Sequence, residues 1–362
     1  MARPKRNARR KGDAPFGGDK AVFVVGDAGS NWRAGELGGD EARARRLIDA
    51  AADAGCNAVK FQVFRARTIY APGAGASDYL ADAGISDDII KILGELEMPY
   101  EMLGGLAAHA RARALEFMAT PFSVADARAV DPYVNVHKVA SYELNHRRLL
   151  EFLAATGKPL IMSTGAGTYA DIQRALDLVR ATTDAPVALL QCTAAYPAPP
   201  EAMNLLAVPK LAEMFGVAVG LSDHSRDPVA APAAAVALGA KVVEKHFTLD
   251  RTLPGPDHAY AVEPDDLAAM VRAIRLVETM RGSGEKVVQA AEEELFHYSL
   301  RGIQATRDVA AGEVLREGEN MDILRPGKNR KGLNPFYIEE VNGRRATRDI
   351  PAGDGIQEGD FV

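Results

Sequence analysis

The chain has 362 residues, 47% of them apolar and 25% charged, and a formal net charge of −6. This is the make-up of an ordinary globular protein, long enough for one large core with a small appendage. No apolar run approaches the ~20 residues needed to span a membrane and no signal-type segment follows the start, which excludes a membrane protein. With only two cysteines, Cys56 and Cys192, a disulfide framework is excluded as well and a reducing cytoplasm is expected.

Charge is uneven along the chain. Residues 1–20 hold seven Lys/Arg against two acids, and the remainder holds 36 against 47. The basic start, MARPKRNARRKGDAPFGGDK, lacks hydrophobic periodicity and reads as a disordered tail. The acidic body would repel a polyanion, so no nucleic-acid partner is expected.

Eight short apolar runs then follow: VFVVGDA (22–28), AVKFQVF (58–64), EFMATPF (116–122), VHKVAS (136–141), PLIMSTG (159–165), VALLQCT (187–193), AVGLSDH (218–224) and VVEKHFT (242–248). Seven Ala/Leu/Arg-rich stretches of helical character alternate with them, at 40–54, 123–130, 145–156, 168–181, 201–215, 228–239 and 264–280. Strands too apolar to face water, alternating with helices, predict a (β/α)₈ barrel over residues 21–282. The connection 65–115 is longer, with two predicted helices at 86–96 and 100–114, and an excursion of this kind on the catalytic face makes a lid or substrate wall. Residues 283–298 read as a helical linker. Residues 299–362 read as a small β domain, in which ATRDVAAGEV (305–314) recurs as ATRDIPAGDG (346–355) and suggests pseudo-two-fold symmetry.

In such a barrel the strand ends converge on one pocket. Alternation puts Lys60 with Gln62, Ser222 with His224 and Glu244 with His246 on shared faces. Thr120, Lys138, Ser141, Ser163 and Thr164 add donors. The doubly cationic, hydroxyl-rich surface suits a phosphate or carboxylate. His224 and His246, on adjacent strands, suit one divalent metal completed by oxygen ligands, Mn²⁺ before a closed zinc site. A lone strand-end His is more often a hydrogen-bonded core residue, so it is the convergence that carries the reading. In the loop 251–264, Asp257 is a candidate substrate contact, while His258 divides evenly between that role and capping a turn. Cys192 reads as a small buried apolar residue.

The segments AVKFQ, MATPFS, KVASYEL, STGA, LLQCTAAYPAPPEAMNL, GLSDHS, EKHFT and GPDH, in that order, resemble the sialic acid synthase family: the N-acetylneuraminate, legionaminate and pseudaminate synthases. RGIQATRDVAAGEV, ILRPG and ATRDIPAGDG are similar to that family's antifreeze-like (SAF, β-clip) domain. The resemblance implies a TIM barrel followed by that domain, and a condensation of phosphoenolpyruvate with a sugar aldehyde to an α-keto acid and phosphate. It implies that Lys60, Thr120, Lys138, Ser141, Ser163 and Ser222 bind phosphoenolpyruvate, and that Gln62, Tyr196, Asp257 and Arg325 bind the sugar. It implies Mn²⁺, with Mg²⁺ or Co²⁺ as alternatives, on His224 and His246, and catalytic roles for Asp27, Glu244 and His246. Arg325 would act across a domain-swapped homodimer.

Four positions depart from the family. Asp27 stands where relatives have Glu, one methylene shorter. Trp32 replaces a His and is expected to offer the pocket a flat apolar wall. Ala194 and Ala261 stand where Asn or Ser and Ser are usual. The phosphoenolpyruvate and metal residues are kept while those near the acceptor differ, so an acceptor other than plain N-acetylmannosamine is expected. Alternatives are a condensing enzyme on another aldose, or a decayed sugar-binding homologue. A metal-dependent hydrolase is disfavoured because the first strand lacks a His-x-His pair.

Overall fold

A computed structural model describes residues 14–34, 39–76 and 87–362. Residues 1–13 of the expected tail, and part of the long connection after the second strand, lie outside the described residues. The chain divides into two compact units, Met1–Gly282 and Ser283–Val362.

The first unit is the expected barrel. Its strands are β1 Phe23–Gly29, β2 Ala58–Val63, β3 Glu116–Pro121, β4 His137–Val139, β5 Leu160–Ser163, β6 Val187–Cys192, β7 Ala218–Asp223 and β8 Val242–His246. All ladder pairs are parallel, in the order β3-β2-β1-β8-β7-β6-β5-β4, and β3 and β4 meet by packing, without a ladder. The strands are buried along almost their whole length, which is why they read as continuous apolar runs. Outward side chains such as Val24, Val59, Phe61 and Phe117 pack under a helix layer that includes Asp40–Asp53 and Tyr100–Ala112. Among the described residues, no helix is long and apolar enough to cross a membrane.

The inward positions change character along each strand. The lower layer is apolar: Phe23, Val25, Ala58, Met118, Val136, Ile161, Ala188, Leu190 and Val242 form one cluster. Two residues further on, the same inward face carries Asp27, Lys60, Thr120, Lys138, Ser163 and Glu244, joined by Ser222 of β7, all buried. β7 and β8 approach so closely that a Cβ at Gly220 would lie 2.1 Å from the Val242 carbonyl oxygen. Only glycine fits there.

The expected tail needs correction at its inner end. Ala14 and Phe16 are 6% and 5% exposed and join the lower apolar cluster. Lys241 fastens this segment by donating to the Gly18 carbonyl at 2.8 Å. Two apolar side chains suffice to plug the barrel floor, although the basic composition around them hides the signal.

In the second unit a short helix, Glu293–Tyr298, precedes an antiparallel pair, β9 Gly302–Ala305 and β10 Met321–Leu324. The sequence repeat is expressed as reciprocal bonding. Val309 and Ile350 exchange backbone hydrogen bonds of 2.9 and 2.8 Å. Gly312 N donates to Ala346 O at 2.7 Å, and Gly353 N donates to Ala305 O at 2.8 Å. Asp349 Oδ1 accepts from Ala311 N, and Asp308 Oδ1 from Ala352 N, both at 2.8 Å. Each copy thus closes the turn of the other around a core of Ile303, Val309, Leu315, Met321 and Ile350.

Candidate active site

Above the polar layer lies a pocket of about 590 Å³. Thirteen sequence-predicted residues line it: Asp27, Lys60, Gln62, Thr120, Lys138, Ser141, Ser163, Tyr196, Ser222, His224, Glu244, His246 and Asp257. The fourteenth, Arg325, is exposed in the second unit, directly after β10.

Two buried ammonium groups form the floor. Lys60 Nζ lies 2.7 Å from Asp27 Oδ2 and 3.7 Å from Glu244 Oε1, and donates to Thr120 Oγ1 at 3.1 Å. Lys138 Nζ lies 3.5 Å from Glu244 Oε1 and donates to Ser163 Oγ at 2.7 Å. Ser222 donates to the same Glu244 oxygen at 3.1 Å, while Glu244 Oε2 has no partner. Ser141 Oγ accepts from Gly165 N at 3.0 Å, and a Cβ on Gly165 would fall 2.9 Å from that oxygen, so glycine keeps the hydroxyl in place. Thr164 is turned away: its hydroxyl donates to the Leu190 carbonyl at 2.9 Å.

The two lysines are tuned apart. Burial works against both charges. At Lys60 the carboxylates of Asp27 and Glu244 more than offset burial and lift the ammonium above its ordinary range. At Lys138 burial wins, Glu244 compensates only in part, and the Lys60 charge pushes further down. Burial also opposes ionisation of Asp27, but the basic groups His246 and Lys60 outweigh it and hold the carboxyl below the usual range. Although one methylene shorter than Glu, Asp27 reaches both partners, with its Oδ2 3.2 Å from His246 Nε2.

The imidazoles of His224 and His246 have ring centroids 5.5 Å apart, and Tyr196 stacks 4.3 Å from His224. His224 Nδ1 bonds to the Thr193 carbonyl at 2.8 Å, which leaves the Nε2 lone pair free for a ligand. His246 Nδ1 is buried and has no hydrogen-bond partner. An orphaned imidazole nitrogen beside an oriented one fits a divalent ion. Among the described residues no group of three or more His, Cys, Asp or Glu forms a metal cage. The two histidines would therefore be completed by oxygen from water or substrate. Lys245, between Glu244 and His246, faces the other way. Its Nζ lies 2.7 Å from Asp223 Oδ2 and donates to the Ser225 and Asp227 carbonyls at 2.5 and 3.1 Å, pinning the loop that carries His224.

At the rim, Asp257 accepts from Ser30 Oγ at 2.7 Å and from the Tyr260 hydroxyl at 3.0 Å. His258 resolves to a structural role, bonded to Thr248 Oγ1 at 2.6 Å and facing the Arg33 carbonyl at 3.3 Å. Trp32 corrects the expected pocket wall. The turn closed by Asn31 N on Ala28 O sends it into the apolar layer beneath the helices, where it is fully buried and absent from the lining. Sequence reasoning missed Glu143, on a 3₁₀ turn after β4 where strand alternation gives no facing rule. Its Oε2 is buried without a partner, and burial, only partly countered by Lys138, raises the carboxyl to about 7. Cys192 is buried as expected, and its Sγ also reaches the pocket lining, 3.8 Å from His224 Nδ1.

The chain is similar to known proteins over most of its length. The NeuB family model matches residues 47–286, and the SAF domain model matches residues 301–362. The chain is 40% identical over 340 residues to the spore coat polysaccharide biosynthesis protein SpsE of Bacillus subtilis, covering 89% of this chain and 88% of that one. It is 32% identical over 329 residues to the N,N'-diacetyllegionaminic acid synthase of Campylobacter jejuni, covering 90% and 96%. A crystal structure of N-acetylneuraminic acid synthetase from Leptospira borgpetersenii, in complex with citrate, superposes with a TM-score of 0.69 at 31% identity, over 78% of this chain and 93% of that one.

Proposed function

The chain belongs to the NeuB family, whose characterised members are phosphoenolpyruvate-dependent condensing transferases, and we propose that it joins phosphoenolpyruvate to a sugar aldehyde, N-acetylmannosamine-like or a modified hexose. The products would be a nonulosonic α-keto acid and phosphate. The observation that carries this reading is the pocket floor: two buried ammonium groups ringed by hydroxyls, facing carboxyl and imidazole atoms that lack partners. Such a floor is expensive to bury without an anionic ligand to hold.

Lys60 and Lys138, with Thr120, Ser141, Ser163 and Ser222, would bind the phosphate and carboxylate. Gln62, Tyr196 and Asp257 would face the sugar. C3 of phosphoenolpyruvate attacks the aldehyde carbon, and the aldehyde oxygen takes a proton as the C–C bond forms. Water adds at C2 and gives up a proton; the hydroxyl so formed then passes its proton to the departing phosphate as the C–O bond breaks, which leaves a ketone. Glu143, poised near 7, can give or take a proton at neutral pH. The unpartnered Glu244 Oε2 is an acceptor for the proton lost by water. Asp27, charged and held between Lys60 and His246, would orient both and take part in proton transfer at the aldehyde. His224 and His246 would hold Mn²⁺, Mg²⁺ or Co²⁺, and the bound ion would supply Lewis acidity to the aldehyde oxygen. Arg325, exposed in ILRPG, would meet the partner's sugar in the domain-swapped homodimer that the family resemblance implies. A cytoplasmic site of action goes with these substrates.

The test is phosphate release from phosphoenolpyruvate with Mn²⁺ across a panel of aldoses, alongside phosphoenolpyruvate affinity and Mn²⁺ retention. Release with an acceptor supports the condensation. Failure to bind phosphoenolpyruvate would overturn it and favour a non-catalytic homologue. Changing His246 to Ala should abolish turnover and metal retention together, and a fully active variant would remove the metal assignment.

A further inference from the structure

The two imidazoles of the candidate ion site are carried in different ways. His246 ends β8 and stands in ladder register with Asp27 of β1, so the sheet itself fixes it. His224 lies one residue past the end of β7, where the β7–β8 register closes at the pair Asp223 and Lys245. The next residue on each strand is one of the two histidines. Thr193 orients the His224 ring, and Ala198 N donates to the His224 carbonyl at 2.9 Å. The chain on either side of His224 is held by Lys245, which is 1% exposed. Its ammonium gathers four oxygens of the segment 223–227: Asp223 Oδ2 at 2.7 Å, the Ser225 carbonyl at 2.5 Å, the Asp227 carbonyl at 3.1 Å and Ser225 Oγ at 3.4 Å. Asp223 Oδ1 closes the turn by accepting from Ser225 N at 2.8 Å. Residues 223, 225 and 227 thus turn to the lysine, while Ser222 and His224 line the pocket.

We propose that Lys245 is a positioning residue for the ion site: by clamping residues 223–227 it holds the His224 imidazole at the spacing from His246 that lets both bind one divalent ion. The inference rests on the metal reading above and adds to it a residue that stands outside the pocket lining. A buried lysine–aspartate pair gives little net stability over apolar side chains of the same size, so stability alone does not account for it. Its bonds to two main-chain carbonyls are directional, and a packed methionine could not make them. They fall where the ladder has ended and the backbone has lost its other guide. The imidazole centroids stand 5.5 Å apart, and a loop displaced by about 1 Å would spoil their joint hold on one ion.

The test is the Mn²⁺ affinity of the metal-free protein, read as free Mn²⁺ by electron paramagnetic resonance. It is measured in Lys245→Met and in the double variant Asp223→Asn with Lys245→Met, which leaves no unpaired charge buried. Both should bind Mn²⁺ roughly 10- to 100-fold more weakly than wild type, while phosphoenolpyruvate affinity stays within a few-fold. Unchanged Mn²⁺ affinity in the folded double variant would overturn the role, even beside a lowered denaturation midpoint, because a merely structural pair would show that result. In a His224→Ala background the same two changes should weaken Mn²⁺ no further, since the lysine acts through that imidazole. A further loss of equal size there would also overturn it. A wild type that binds phosphoenolpyruvate but no Mn²⁺ would instead strike the metal assignment, and the role of Lys245 with it.

Discussion

Two charge clusters in this molecule have opposite designs. At the barrel mouth Asp27, Lys60, Lys138 and Glu244 are buried at 3% exposure or less, yet Glu244 Oε2, Glu143 Oε2 and His246 Nδ1 lack partners. In the second unit Arg330 and Arg348 bracket Asp354 and Asp360 with contacts of 2.7 to 3.5 Å, and the guanidinium side chains are 46% and 40% exposed. The second cluster is wet, paired and complete. The first is dry and incomplete, which destabilises the fold unless a ligand supplies the missing partners. Incomplete satisfaction, rather than charge itself, separates the site from the scaffold.

The sharpest way to break this contrast is Lys60→Met. It should lower kcat/KM for phosphoenolpyruvate by roughly 10³-fold or more, and lower stability by about 3–5 kcal/mol because Asp27 is left buried with its nearest cation gone. Near-normal turnover, or a denaturation midpoint equal to wild type, would place Lys60 with the scaffold charges. Glu143 sharpens the contrast through pH. Its folded carboxyl titrates near 7 against an ordinary value of 4.5, so between these values the folded state binds more protons than the unfolded one. Its contribution is therefore complete below about 4.5 and lost as pH rises towards 7, a fall on the order of 3 kcal/mol. Denaturant titrations of Glu143→Gln should lack that slope, and an identical slope in both proteins would refute the assignment.

Smaller effects are expected in the second unit. Asp308→Ala and Asp349→Ala each remove one turn-closing bond of the repeat and should cost about 1 kcal/mol, with values alike between the two. Clearly unequal losses would argue against working pseudo-symmetry. Smallest is Arg348→Ala: its half-exposed pairs are worth about 1 kcal/mol or less, and phosphoenolpyruvate affinity should not move.

How much of this was legible in the sequence follows from the backbone rules each residue obeys. On a strand, alternation decides facing, so Lys60 with Gln62 and Glu244 with His246 could be placed in the pocket from spacing alone. Off the strand that rule lapses. Glu143 sits on a 3₁₀ turn and was invisible, and Trp32 follows a tight turn that sends it outward, against the expectation of a pocket wall. The repeat was legible because two copies of one bonding pattern need two copies of one sequence. The plug at Ala14 and Phe16 was not, since two apolar residues among many basic ones do not shift composition. The long excursion was read as a lid or wall, and its helix Ile89–Glu95 does line the pocket through Ile89, Ile92 and Leu93, but that facing depended on packing against Phe64 and Phe122.

The plug has a practical corollary. Phe16 seals the barrel beside Phe23, at the strand starts, while the catalytic residues stand at the strand finishes. A biotin acceptor or affinity handle fused ahead of Ala14 would therefore leave from the pole opposite the pocket. Captured on a biosensor chip through such a handle, the barrel would present its open end to the flowing analyte.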